Sequence, residues 1–283
     1  MIERTLFSAE HTTFRDSFER FMQTEIAPYH SAWEAQGFVD KAVWQKAGEL
    51  GFLNMSMPSA YGGADADKLY AVAQIECLSA GGYTGIGFGL HSEIVSPYLL
   101  HYGTQAQKET YLPRLSSGAM VGAIAMTEPS AGSDLQGIQT TALLGDDGHY
   151  RLRGSKTYIT NGWHADLVIV VAKTQPQAGA KGTSLFLLEA GTPGFTKGKP
   201  LHKLGLKAQD TCELFFDDVR LSPAQLLGGE AYLNKGFVCL MEQLPWERLQ
   251  IAIGAVASGT AALKCNTTVR TLSPRSQPGR KNK

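Results

Sequence analysis

The spacing of apolar residues changes twice along this chain, and that constrains the fold more than any single motif. Up to about residue 119 apolar side chains recur at helical spacing. Around residue 120 the period falls toward two, and after Gly228-Gly229 the helical period returns. A period of 3.6 places one face of a helix against a core, and a period of two does the same for a strand. Neither pattern can adopt the other structure without turning its apolar side chains into water. The order predicts a multi-domain α+β protein. Its parts are an all-helical N-terminal domain over 1–119, a central domain over 120–230 that is an antiparallel β-barrel or sandwich, and a C-terminal helical region over 231–264.

Within the first region, Ser8 is a plausible N-cap, Phe14, Phe18, Phe21 and Met22 recur at helical spacing, and Pro28 closes that helix. Val43, Trp44, Ala47, Leu50 and Leu53 mark a second helix, and Leu69, Val72, Ala73, Ile75 and Leu78 a third. A fourth apolar helical segment lies around Ile94 to Tyr102. In the middle region, 120–127, 139–144, 150–153, 156–160, 167–171, 185–188 and 214–217 read as strands. Asp146-Asp-Gly148 and Gly191-Thr-Pro-Gly194 fall between strands as turns. In the last region, Phe237, Leu240, Met241 and Leu244 form one apolar face, Pro245 stands where a new turn could begin, and the pattern continues to about Lys264. From residue 265 the composition becomes polar, with Pro274, Arg275, Pro278, Arg280 and Lys281, and predicts a disordered tail.

The 26 basic and 26 acidic residues balance, which gives no electrostatic footprint for nucleic acid. Cys77, Cys212, Cys239 and Cys265 are scattered without a CxxC pair, as expected for reduced thiols. No signal-peptide or membrane-span pattern appears, and the expected location is the cytoplasm. Gly85-Ile-Gly-Phe-Gly89 follows no strand and is not a dinucleotide fingerprint. The histidines show no metal-ligand spacing, and there is no GxSxG elbow.

The segment Ile124-Ala-Met-Thr-Glu-Pro-Ser-Ala-Gly-Ser-Asp134 takes an apolar strand into a turn of hydroxyls and small side chains. Such a turn presents N–H groups and hydroxyls at close range to a ligand, although an ordinary strand corner has the same composition. Downstream stand Lys156-Thr-Tyr-Ile-Thr-Asn-Gly162, Ala165-Asp-Leu-Val-Ile-Val-Val-Ala-Lys173, Leu204-Gly-Leu-Lys-Ala-Gln-Asp-Thr211 and Leu244-Pro-Trp-Glu-Arg-Leu249. In this order the segments resemble the acyl-CoA dehydrogenase family, and within it the long-chain branch, over roughly residues 5 to 264.

The resemblance implies an FAD-dependent α,β-dehydrogenation of an acyl-CoA thioester to the trans-2-enoyl-CoA. A carboxylate takes the α-proton, and the β-hydrogen leaves as hydride to the flavin. It places the base at Glu247, followed by Arg248 on the substrate side. It assigns Ile124, Ala125, Met126 and Thr127 to the first flavin-contacting segment, and Tyr158, Ile159 and Thr160 to the second. Ser133 falls at the flavin pyrophosphate or the substrate, and Ala180 and Lys181 near the CoA phosphate. Read alone, Glu247 needs no function, because an acid in the first turn after Pro245 is favoured by the helix dipole. Tyr158 alone reads equally as a strand aromatic, and Lys181 as a solvated loop lysine.

The resemblance also implies an electron-transfer flavoprotein as electron acceptor and a homotetramer. Family members continue through further C-terminal helices and an R-K/Q-x-F-G segment, for which this chain has only Arg275-Ser-Gln-Pro-Gly279. Two other expectations follow. One is a truncated, non-catalytic chain unable to hold FAD, with Leu249, Ile253 and Val256 uncovered. The other is a flavin oxidase of the same fold.

Overall fold

The computed structural model describes residues 4–272, and the side chains of residues 4–265. Helix α1 (Ala9–Phe21) starts at Ser8, whose hydroxyl accepts from the His11 N–H while the His11 ring returns a bond to the Ser8 backbone. A π-helical turn, Met22–Ile26, follows, then α2 (His30–Gln36) and α3 (Ala42–Glu49). The helical spacing of Phe14, Phe18 and Phe21 brings their rings onto Phe52, with Phe18 and Phe52 centroids 5.0 Å apart and edge to face. Asp67 caps α4 (Lys68–Gly81). The chain then runs through the one-turn α5 (Phe88–Leu90), a π-helical turn (His91–Val95) and α6 (Ser96–Tyr102). Thr104 and Gln107 form a capping box for α7 (Gln105–Ser116).

The middle region contains β1 (Gly122–Ala125), β2 (Thr141–Leu144), β3 (Tyr150–Thr160), β4 (Leu167–Lys173), β5 (Thr183–Glu189), β6 (Phe195–Lys197) and β7 (Thr211–Leu221). They form one sheet in the order β1-β4-β2-β3-β7-β6, with β5 on the free side of β4. The expected antiparallel barrel is corrected on two counts. The β1–β4 pairing is parallel (Gly122↔Leu167 to Ala125↔Val170), as is the single Thr141↔Lys173 pair, so the sheet is mixed; and the strand path has two free ends. The physical reason lies in β4. Leu167, Ile169 and Val171 pack on Tyr98, Leu99 and Leu115 of the helices, while Val168, Val170 and Ala172 pack on Leu152, Leu214 and Phe186 of the sheet's other face. A strand buried on both faces reads as a continuous apolar run, and such a run carries no alternation from which pairing direction can be inferred.

Two segments expected as separate strands, 150–153 and 156–160, are one strand with two register shifts, and the short β6 carried no readable signal. The first shift is at Gly154, with φ +141° and Thr140 so close that a Cβ would stand 2.5 Å from its hydroxyl. No other residue fits there without displacing β2's approach.

The C-terminal region is a single helix, α8 (Gly236–Leu272), which contains Pro245 rather than restarting at it. It packs along α4 and reaches α6. It also continues past the end expected near Lys264, to Leu272. Residues 273–283, with Arg275–Gly279, lie outside the described residues. Of the side chains expected to be uncovered, Leu249 and Val256 are exposed and Ile253 is half-buried.

Candidate active site

The loop from Met126 to Thr140 leaves the sheet where β1 ends and β2 begins, both on the same edge of β4. A buried ion pair anchors it. Lys156 projects from β3, and its Nζ donates to Glu128 Oε1 (2.8 Å) and to the Met126 carbonyl oxygen (2.9 Å). The Glu128 carboxylate also accepts from the N–H groups of Gln139 (2.6 Å) and Thr140 (3.1 Å), so one side chain ties both ends of the loop. The Thr157 N–H adds a bond to the Thr127 carbonyl oxygen. Burial pushes the Lys156 ammonium down to about 8, against the pull of Glu128. Burial also pushes the Glu128 carboxyl up, but Lys156 and the Gln139 N–H outweigh it and hold the carboxyl below its ordinary value.

The second register shift of β3, between Lys156 and Ile159, turns Tyr158 outward. Tyr158 has φ +57° and is 68% exposed, between the buried Thr157 and Ile159. A tyrosine at positive φ is strained, and it persists because its neighbours fix the backbone. On one side Lys156 is buried. On the other, the fully buried Asn161 donates to the carbonyls of Gly87 (3.1 Å) and Gly122 (3.3 Å), and accepts from Gln209 (3.1 Å). Tyr158 is therefore not an ordinary strand aromatic.

Helix α8 closes the site. Phe237, Met241, Leu244 and Arg248 follow at intervals of one helical turn. They face Met126, Thr127, Ser133 and Leu135 across a cleft of about 310 Å³. Glu247 lies beside this face and points toward α6, where the Tyr98 hydroxyl donates to its Oε1 at 3.0 Å. Glu247 is 9% exposed. Burial raises its carboxyl above the ordinary value, and the Tyr98 bond and Arg248 oppose that only in part. Since α8 begins at Gly236, Glu247 is mid-helix, and the helix-dipole reading of an acid in a first turn does not apply.

The structure thus brings Met126, Thr127, Ser133 and Arg248 to one cleft, with Glu247 adjoining it. Ile124, Ala125 and Ile159 are buried in the core clusters, so only their main chain is available to a ligand. Thr160 is half-buried at the end of β3. Ala180 and Lys181 do not line the cleft. They lie in the 3-10 turn Pro176–Gly182, which packs beside the turn Leu135–Gly137 at its rim. Sequence reasoning missed Glu128, Lys156 and Tyr98, whose partners lie 28 and 149 residues away, and no local pattern marks such pairs. The apolar spacing of Phe237, Met241 and Leu244 was the available signal for the α8 face.

Residues 8–119 match the acyl-CoA dehydrogenase N-terminal domain family, and residues 123–219 match its middle domain family. This chain belongs to the acyl-CoA dehydrogenase family. It is 51% identical over 258 residues to the long-chain specific acyl-CoA dehydrogenase of Rattus norvegicus, a mitochondrial enzyme by name; the match covers 90% of this chain and 59% of that one. Among solved structures it resembles an acyl-CoA dehydrogenase from Geobacillus kaustophilus (TM-score 0.92, 43% identity, covering 99% of this chain and 72% of the other). It also resembles an acyl-CoA dehydrogenase from Bacillus anthracis complexed with FAD (TM-score 0.89, 31% identity, covering 98% and 46%). The chain therefore spans about 59% of the length of its long-chain relatives. None of its described helices is long and apolar enough to cross a membrane.

Proposed function

We propose that this chain holds FAD against Tyr158 and the Met126–Thr127 corner, and dehydrogenates an acyl-CoA thioester, of long chain length, with Glu247 as the base. The observation that carries the reading is the placement of Glu247. It is a buried carboxyl with a raised pKa, on the turn of α8 that faces the first motif across the cleft. The thioester α-proton is weakly acidic, and burial makes a carboxylate a stronger base than it is in water.

The residues present fit a flavin. Tyr158 offers an exposed ring held by a strand bulge, and among the described residues the Thr127 N–H and hydroxyl make no hydrogen bond within the protein. Bound there, FAD supplies the acceptor for the substrate's β-hydride. Thr127 and Thr160 would orient it with hydrogen bonds. Ser133 would hold its pyrophosphate or the thioester side of the substrate. Arg248, and Lys181 from the rim, would meet the anionic CoA portion. The apolar residues Phe237, Met241 and Leu244 would exclude water from the proton transfer.

The reading extends to an electron-transfer flavoprotein as acceptor, a homotetramer and a cytoplasmic location, the last set against the mitochondrial names of the relatives. The test is an absorbance spectrum of the purified chain with FAD, before and after anaerobic addition of palmitoyl-CoA. Bleaching of the flavin band is expected. A chain that takes up no FAD would sink the reading in favour of a non-catalytic one, and rapid reoxidation by air alone would turn it into an oxidase.

A further inference from the structure

Helix α8 is weakest where it carries its most consequential residues. Pro245 has no N–H for the Met241 carbonyl, and its ring crowds that carbonyl, so the turn 241–248 lacks part of its backbone support. Side chains must hold it. Trp246 Nε1 donates to Glu93 Oε2 at 3.2 Å, and one turn later Gln250 Nε2 donates to the Glu93 backbone carbonyl at 3.4 Å.

Glu93 is 2% exposed and sits in the π-helical turn His91–Val95. A buried carboxylate is costly unless it is paired and hydrogen-bonded. Lys68, the first residue of α4, pairs with its Oε2 at 2.7 Å, and the Ser56 hydroxyl donates to Oε1 at 3.3 Å. The Lys68 ammonium also lies 5.1 Å from the centroid of the Trp246 ring. Ser56, Lys68 and Trp246, from three separate parts of the chain, thus converge on the Glu93 carboxylate, and Trp246 directly precedes Glu247 in α8. None of Glu93, Lys68 and Trp246 lines the cleft. π-helical turns of this kind concentrate at functional sites.

We propose that Glu93 is a positioning residue. Held by Lys68 and Ser56, it fixes Trp246, and so fixes the turn that presents Glu247 and Arg248 to the cleft. The inference rests on the reading of Glu247 as the base.

Two variants of the full chain test it. Trp246→Phe keeps the ring and removes the donor, while Glu93→Gln keeps an acceptor for Trp246 and removes the charge. Two quantities are measured: the rate of flavin bleaching against palmitoyl-CoA concentration, and amide hydrogen exchange along the chain. For Trp246→Phe the maximal rate is expected to fall about tenfold, with the half-saturating concentration within about twofold. Exchange should rise about tenfold in residues 241–250 only, as for one lost hydrogen bond. Glu93→Gln should keep its rate within about threefold of the parent, because the Trp246 bond survives. Exchange that rises uniformly along the chain, or that stays unchanged in 241–250, overturns the positioning role. If the parent chain itself does not bleach, the proposed function fails on its own, and the local exchange still decides whether Glu93 fixes this turn.

Discussion

Lys156 Nζ and Glu128 Oε1 stand 2.8 Å apart with both side chains shut off from solvent, and the pair joins β3 to the loop that forms one wall of the cleft. Removing one partner of such a pair leaves the other charge buried without compensation. Lys156→Met is therefore expected to destabilise the fold by about 3–5 kcal/mol, far more than a surface substitution. It would also remove the donor to the Met126 carbonyl oxygen, and leave the Glu128 carboxylate with only its bonds from the Gln139 and Thr140 N–H groups. Denaturant unfolding of the variant beside the parent checks this; a loss below about 1 kcal/mol would show that the pair is not what anchors the loop.

Tyr158 makes the opposite prediction. Its ring is exposed and contributes little to the core, and alanine keeps the Cβ that strains the positive φ, so Tyr158→Ala should leave stability within about 0.5 kcal/mol. Flavin affinity should fall about threefold to tenfold, the value of one aromatic stacking contact. Titration of the FAD-free chain with FAD, followed by flavin fluorescence, reads that loss. Equal affinity in parent and variant would remove the ring from the flavin site.

Much of this was legible in the sequence, and what was not has a common physical origin. The helical, β, helical order followed from periodicity, because each element buries one face. The loop 126–134 stood out because hydroxyls and small residues follow an apolar strand. Three features did not show. The parallel pairing of β1 with β4 is hidden because β4 is apolar on both faces. The outward turn of Tyr158 depends on the register shift against β7, which is set by partners more than fifty residues away. Pro245 reads locally as a break, yet tertiary contacts to α4 and α6 carry α8 through it.

The shift at Gly154 gives a prediction independent of any ligand. At φ +141° an alanine is strained, and its Cβ would press on the Thr140 hydroxyl and Cα at 2.5 and 2.8 Å. Gly154→Ala should cost about 1–3 kcal/mol, with the damage centred on the β2–β3 pairing. A thermal melt that moves by less than a degree would show that the strand relaxes around the new side chain. Ala at Gly148, a positive-φ position with no atom within 4 Å of the added Cβ, serves as the control for strain without a clash.

The contact between Tyr98 and Glu247 makes the proton-transfer reading testable by pH. Burial raises the Glu247 carboxyl, while the Tyr98 hydrogen bond stabilises the charged form and lowers it. If Glu247 must be ionised to take the α-proton, turnover is present above its pKa and is lost as pH falls through it. Tyr98→Phe removes the stabilising bond and leaves the burial, so the acid limb should move to higher pH, with the plateau rate reduced by less than about tenfold. Glu247→Gln, which cannot accept the proton, should abolish bleaching by palmitoyl-CoA while the bound flavin spectrum stays unchanged. Profiles of bleaching rate against pH for parent and Tyr98→Phe distinguish the cases. A limb that stays in place, or moves down, would mean that some other group controls the rate, and substantial bleaching in Glu247→Gln would assign the base elsewhere.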